Sequence, residues 1–143
     1  MHYVLRAFQP EDYDAAYALW ARTPGMSLGQ ADSREAIHRF LAHNPGLSFV
    51  LLTDQGELVG TILGGFDGRR GYIHHLALAR EHQGRGLGRV LVERSLAAFA
   101  RLGLEKVHAL VYVDNLSAQG FWQHLGWRRR EDLVIYTWRF PQP

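Results

Sequence analysis

The sequence predicts an α/β fold with a mixed, mostly antiparallel sheet and the element order β-α-α-β-β-β-α-β-α-β-β. Three strand-like segments, 47–53, 57–66 and 72–79, follow one another with short glycine-containing turns between them, which is typical of antiparallel strands. The apolar positions then change to a period of 3.6 before a further strand-like segment, 106–113, which indicates a strand–helix–strand crossover. Because 143 residues is the length of one domain, we expect residues 1–143 to form a single domain.

The N-terminal part predicts one strand and two helices. Residues 3–8 alternate weakly between polar and apolar and predict a strand, after which Pro10 suits the first turn of a helix. The apolar positions of that helix are Tyr13, Ala16, Tyr17 and Trp20. Asp32 and Glu35 have the spacing of a capping box and predict the start of a second helix, which ends at the Asn-Pro-Gly segment 44–46.

The C-terminal part predicts two more helices and a closing hairpin. The first helix follows the glycine-rich segment 83–88 and ends near Gly103. One face of this helix carries Leu91, Val92, Ser95, Phe99 and Leu102. A short helix is expected from about Leu116 to Leu125, stopped by glycine, and the segments 127–132 and 133–140 predict two antiparallel strands.

Composition excludes several classes of protein. A net charge of +2 with a pI near 9.2 favours anionic ligands only mildly and does not indicate nucleic-acid binding. No apolar run approaches the ~18 residues that span a bilayer, and no secretory signal is expected at the N-terminus. The absence of cysteine excludes disulfides and thiolate sites and fits a cytoplasmic protein, while the histidines lack metal-ligand spacing. We therefore expect no metal, no membrane and no nucleic acid among the partners.

The segment QGRGLG, residues 83–88, places three glycines between a strand and a helix. Backbone N–H groups converge in such a turn, and the start of the helix adds partial positive charge, so a phosphate or pyrophosphate is the expected ligand. The spacing fits neither the dinucleotide fingerprint nor the P-loop. It fits the signature Gln/Arg-x-x-Gly-x-Gly/Ala at Gln83, Gly86 and Gly88. A tight strand-to-helix connection without a ligand is the plain alternative.

Together with a second block, this signature resembles the GNAT superfamily of N-acetyltransferases. HLALAREHQGRGLGRVLVERSL (75–96) matches that family's strand, loop and helix. The second block matches at Asn115, Ala118, Phe121, Trp122, Gly126 and Trp127. The resemblance implies a three-layer GNAT-like fold, with acetyl-coenzyme A (acetyl-CoA) as the acetyl donor. The binding residues it implies are Leu78, Gln83, Gly84, Arg85, Gly86, Leu87, Gly88, Arg89, Asn115 and Trp122.

The resemblance also implies direct acetyl transfer to a primary amine, with the Leu78 backbone region polarising the thioester and Asn115 positioning coenzyme or substrate. Trp122 stands where the family often has a tyrosine acid, and an indole cannot release a proton near neutral pH. Tyr112 and Tyr136 are substitute donors that the sequence does not place. A non-catalytic acyl-coenzyme-A-binding or regulatory module is therefore the alternative to an enzyme.

The proton acceptor is sought on the strand YIHHLALA, which offers His74 and His75. A period of two places them on opposite faces of the sheet, with His74 on the face of Leu76 and Leu78. We therefore predict that His74 is catalytic, with a packed core histidine as the alternative; His75 is the weaker candidate.

The acceptor is expected to be a small-molecule or peptide amine. The first two helices, the segment 24–32 and the last hairpin are expected to bind it. If the 67–71 turn flanks the cleft, Arg69 and Arg70 are candidates for recognising an acidic group of the substrate. The sequence allows a homodimer without specifying one.

Overall fold

The computed structural model describes residues 2–143 and has an α/β architecture. Within that range the strands are β1 (Tyr3–Ala7), β2 (Phe49–Thr53), β3 (Leu58–Phe66), β4 (Gly71–Leu78) and β5 (Val107–Ala109). The α-helices are α1 (Tyr13–Ala21), α2 (Arg34–His43), α3 (Leu87–Ala100) and α4 (Leu116–His124). The sheet order is β1-β2-β3-β4-β5, antiparallel from β1 to β4 and parallel between β4 and β5. The predicted fold class is confirmed.

The chain forms two compact units, one ending at Tyr112 and the other covering Val113–Pro143. The first contains the whole sheet with α1, α2 and α3, and the second contains α4. No helix within residues 2–143 is long and apolar enough to cross a membrane. The single domain stays a prediction.

Helices cover both faces of the sheet in the first unit. A Cβ added to Gly60 would lie 3.2 Å from Leu91, and one added to Gly71 would lie 2.7 Å from Phe99, so α3 packs closely on one face. On the other face, Trp20 of α1 is fully buried, and a Cβ added to Gly65 would lie 3.2 Å from the Phe40 ring of α2. These contacts make three layers, as the family resemblance implies.

The pairing of β3 with β4 contains a bulge. Leu63 is opposite His74 and Thr61 is opposite Ala77, so two residues of β4 face the single residue between them on β3. The first of the two, His75, has φ +46° and is the one non-glycine residue with positive φ within residues 2–143. A positive φ costs a non-glycine residue about 1–3 kcal/mol, so interactions with the surrounding structure must stabilise it.

Side chains from β3 and α1 hold the bulge. The Thr61 hydroxyl donates to the His75 carbonyl at 2.9 Å, and Trp20 Nε1 donates to the Thr61 hydroxyl oxygen at 2.9 Å. Thr61 and Trp20 are both 0% exposed. Buried hydrogen bonds of this kind are costly to leave unmade, so the bulge is a specified feature of the fold.

The second unit departs from the prediction. Its helix, α4, begins after Asn115, whose Oδ1 accepts from Ala118 N at 3.1 Å, in agreement with the predicted helix. Residues 127–143 contain no strand, so the predicted closing hairpin is wrong for this structure. An isolated two-stranded hairpin is only marginally stable, and this unit contains no sheet for it to join. Within the segment that is expected to form the hairpin, Arg130 instead donates two hydrogen bonds of 2.9 Å to the Asp132 carboxylate.

Candidate active site

A glycine-rich loop leads from β4 into α3. After a 3₁₀ turn at Arg80–His82, Gly84 and Gly86 take left-handed φ values of +80° and +77°. Gly86 is the N-cap of α3, which begins at Leu87. A Cβ added at either of these two glycines would meet no atom within 4 Å. The space in front of the loop is therefore open, as a site for a bound anion requires.

The first amide groups of α3 follow Gly86 directly and are unpaired in the described chain. Val90 N donates to Gly86 O at 3.2 Å and is the first donor of the helix. The amides of Leu87, Gly88 and Arg89 precede it and have no hydrogen-bond acceptor within residues 2–143. Unpaired N–H groups at the positive end of a helix are a common binding site for phosphate groups in proteins, and α3 has 14 residues.

Two side chains anchor this loop to the sheet. Gln83 Nε2 donates to the Leu78 carbonyl at 3.0 Å, which ties the first residue of the signature to the end of β4. The buried ring of His82 lies with Nδ1 2.7 Å from the Tyr3 hydroxyl of β1. Sequence reasoning missed the pair of Tyr3 and His82, since no motif links residues that lie so far apart in the chain.

The edge of β4 is open beside the loop. Residues 71–73 of β4 pair with β5, whereas residues 74–78 have no strand partner on that side in the described part of the chain. Unpaired strand edges bind extended ligands that carry amide groups. The open edge therefore leaves backbone groups of residues 74–78 available to an extended ligand next to the loop.

The exposed side chains of Arg85 and Arg89 flank the loop. Arg89 lies 3.7 Å from Glu93 one turn along α3, an exposed ion pair that is worth little and breaks easily. Both guanidinium groups remain accessible to an anionic ligand. Within residues 2–143 no group of three or more potential ligands could hold a metal ion.

His74 lies on the face of the sheet that carries α2. Its ring packs edge-on against Phe40 at 6.0 Å and stacks with Tyr72 at 6.4 Å between ring centroids. Burial, together with the neighbouring His75, lowers the pKa of His74, which favours the neutral imidazole. Its catalytic role stays a prediction.

The bulge changes the faces that the sequence predicts for β4. His74 is opposite Leu63 and Leu78 is opposite Gly60, and these β3 residues point to opposite faces because they are three apart. The predicted common face of His74 and Leu78 is therefore wrong. Strict alternation cannot include the extra residue that a bulge inserts.

His75 is held by a buried carboxylate. Its Nε2 lies 2.6 Å from Asp32 Oδ1, and its ring packs on Trp20 with centroids 4.6 Å apart. Asp32 is not the N-cap of α2 that the sequence predicts, because Ser33 takes that place and accepts from Ala36 N. The cap spacing of Asp32 was its only sequence signal, so the pairing with His75 was missed.

The second unit holds the other two predicted site residues. Asn115 uses its side-chain oxygen to cap α4, which leaves its amide Nδ2 as the group able to donate to a ligand. Trp122 packs against Trp127 and Phe121, with ring centroids 4.4 Å and 5.2 Å apart. Contacts of both residues with coenzyme stay predictions.

Comparisons with known proteins agree with this geometry. The model of the acetyltransferase (GNAT) family matches residues 13–127. An acetyltransferase of Pectobacterium atrosepticum is 32% identical over 131 residues, which cover 92% of each chain.

Two solved structures share the fold at identities too low to show more. AAC(6')-Iy in complex with the bisubstrate analogue CoA-S-monomethyl-acetylneamine aligns with a TM-score of 0.79 and 15% identity, over 98% of this chain and 100% of that chain. The NatC complex bound to Gag peptide and CoA aligns with a TM-score of 0.77 and 20% identity, over 92% of this chain and 87% of that chain.

The family match includes the loop, the start of α3 and the whole of α4. The relative from Pectobacterium matches over nearly the full length of both proteins. The chain therefore belongs to the GNAT family of acetyltransferases, and it is an acyltransferase that uses acetyl-CoA as its acetyl donor.

Proposed function

We propose that this acetyltransferase transfers the acetyl group directly to a primary amine of a small molecule or a peptide. The observation that carries the proposal is the row of unpaired amides at Leu87–Arg89, next to the open edge of β4. The amides would bind the pyrophosphate of the coenzyme, and the edge would pair with the amide groups of its pantetheine arm. The thioester then lies towards Leu78, where backbone N–H groups would polarise its carbonyl.

The acceptor class is supported by two structural neighbours. One is in complex with the bisubstrate analogue CoA-S-monomethyl-acetylneamine, and the other is bound to Gag peptide and CoA. We therefore propose small-molecule and peptide amines as the acceptor classes for this chain. In this chain we assign the coenzyme to Leu78 and residues 83–89 of the first unit. Coenzyme contacts of Asn115 and Trp122, in the second unit, stay predictions. Homodimer formation and a cytoplasmic location stay predictions.

A screen for thiol release tests this proposal. The protein is incubated with acetyl-CoA and, separately, with amino acids, polyamines, aminoglycosides and peptides, while free coenzyme A is measured. We expect thiol release that depends on one class of amine and an acetylated product of the matching mass. Coenzyme binding by calorimetry without turnover on any of these amines would contradict the proposed acceptor classes.

Substitution of Trp122 tests its place at the thiol end of the coenzyme. We expect Trp122→Tyr to preserve or raise turnover, because a phenol can protonate the leaving thiolate where an indole cannot. Trp122→Ala is expected to weaken coenzyme binding by about tenfold, through the loss of aromatic packing worth roughly 0.5–1.5 kcal/mol and of buried area. Calorimetry and initial rates measure both effects. An alanine variant that binds and turns over like wild type would show that Trp122 lies elsewhere.

A further inference from the structure

We propose that His75, held by Asp32, accepts the proton of the amine during acetyl transfer. The inference rests on the proposed function and names the proton acceptor of that reaction. His75 occupies the bulge of β4, three residues before Leu78 and on the part of the strand whose edge is open. Asp32 comes from the 24–32 segment, where the acceptor amine is expected to bind.

The hydrogen bond to Asp32 fixes the tautomer of His75. A carboxylate only accepts, so Nε2, 2.6 Å from Asp32 Oδ1, carries the hydrogen and Nδ1 keeps its lone pair. Nδ1 has no hydrogen-bond partner in the described chain. Every buried side-chain nitrogen or oxygen in the described chain has a hydrogen-bond partner, so the unpaired Nδ1 is not fully buried. Nδ1 is therefore an accessible base.

The Asp32 carboxylate can stabilise a positive charge on the imidazole ring of His75. Its side chain is 11% exposed, and within residues 2–143 it forms no ion pair with a lysine or an arginine. The other carboxylate oxygen accepts from Gly29 N at 2.9 Å, and the Asp32 carbonyl accepts from the Tyr13 hydroxyl at 2.6 Å. A largely buried carboxylate without a lysine or arginine partner is compensated when the histidine becomes an imidazolium.

His74 lacks this arrangement. Within residues 2–143 no carboxylate is hydrogen-bonded to its ring, and burial lowers its pKa more than the nearby Asp32 raises it, which works against holding a proton. The titratable groups around His75 are Asp32, from the turn before α2, and His74 on its own strand, while α1 contributes the Trp20 ring. The geometry therefore favours His75 of the two adjacent histidines.

The reaction balances with one proton passing through His75. The ammonium form of the acceptor gives a proton to Nδ1, which frees the nitrogen lone pair. That lone pair attacks the thioester carbonyl carbon; the C–N bond forms, and the C–S bond breaks with its electron pair on sulfur. The second amine proton goes to the thiolate through water, and the imidazolium releases the first proton to solvent.

Two amines of different basicity and a set of variants test the role. The probes are n-butylamine, which resembles a lysine amine of pKa ~10.4, and glycinamide, which resembles an α-amine of pKa ~8. Thiol release is measured at pH 7 with saturating acetyl-CoA. His75→Gly suits the positive φ at this position, His75→Asn tolerates it, and His43→Gln in α2 is a control on an exposed histidine.

We expect both His75 variants to lose about 100-fold in kcat with n-butylamine and clearly less with glycinamide, while KM for acetyl-CoA is unchanged. Added imidazole should restore part of the rate in His75→Gly. Asp32→Asn should show the same dependence on amine basicity with a smaller loss, which a merely structural role would not produce. His43→Gln should behave as wild type. Equal losses with both amines, unchanged rates, or a larger loss in His74→Gln would overturn the proposal.

A second readout needs no acceptor. If the wild type binds acetyl-CoA but acetylates neither amine, the proposed transfer to these amines is contradicted. The role of His75 is then tested separately, without an acceptor. Bromoacetyl-coenzyme A then places an alkylating carbon at the thioester position, and peptide mass spectrometry locates the label. Alkylation of His75 that is slowed in Asp32→Asn supports the inference, and absence of label on His75 overturns it.

Discussion

Gly86→Val is expected to lower the affinity for coenzyme A by about 100-fold or more. The site offers the amides that follow Gly86, and hydrogen bonds to charged groups are worth roughly 1.5–3 kcal/mol each, so losing two of them accounts for this factor. A β-branched residue cannot adopt φ +77° without strain, and a valine would also fill the open space in front of the loop. Isothermal calorimetry measures the affinity, and circular dichroism checks that the fold is native.

Gly56→Val is the matched control for this experiment. Gly56 lies in the turn between β2 and β3, has φ +82° and faces open space, so valine costs the same strain there without touching the coenzyme site. We expect both variants to lose a similar amount of stability, about 1–3 kcal/mol, while only Gly86→Val loses binding. Unchanged affinity in Gly86→Val, or an equal loss in Gly56→Val, would contradict the phosphate site at this loop.

Local patterns were sufficient to predict the loop and the helices. Gly84 and Gly86 both have the left-handed φ that glycine allows, and the period of 3.6 in the sequence places Leu91 and Phe99 of α3 in the core. The spacing of Asn115 likewise predicts the start of α4. These features depend on interactions within a few residues, so a single sequence carries them.

The bulge of β4 could not be predicted in the same way. It depends on the hydroxyl of Thr61 and the indole of Trp20, which meet His75 only after α1, β3 and β4 have packed. A period of two assumes that no residue is inserted, so it assigned His74 to the wrong face. The partner of His75 was hidden for a related reason, because Asp32 also fits the local pattern of a helix cap.

The alternation in residues 133–140 illustrates the opposite error. Its apolar and polar positions suit a strand, yet Tyr136 is 94% exposed and no strand forms. A strand requires a partner whose backbone completes its hydrogen bonds, and a periodic sequence alone does not supply one.

Trp20→Ala is expected to lower the free energy of unfolding by about 3–5 kcal/mol. Trp20 is 0% exposed, packs on Phe8 and His75, and donates to the Thr61 hydroxyl oxygen. Alanine would leave a cavity between α1 and the sheet and remove that hydrogen bond. Because domains of this kind are stable by only about 5–15 kcal/mol, the loss is a large fraction of the total. Urea unfolding followed by circular dichroism measures it.

The controls for this substitution separate packing from the support of the bulge. Tyr17→Ala, on the same helix but 38% exposed, should cost about 1 kcal/mol. Trp20→Phe keeps an aromatic ring but loses the donor to Thr61, so the bulge that positions His75 is weakened in a protein that still folds. We expect this variant to bind coenzyme A normally and to turn over more slowly, because the glycine-rich loop is intact and only the bulge is disturbed. A stability loss below 1 kcal/mol in Trp20→Ala would contradict the packing described for α1.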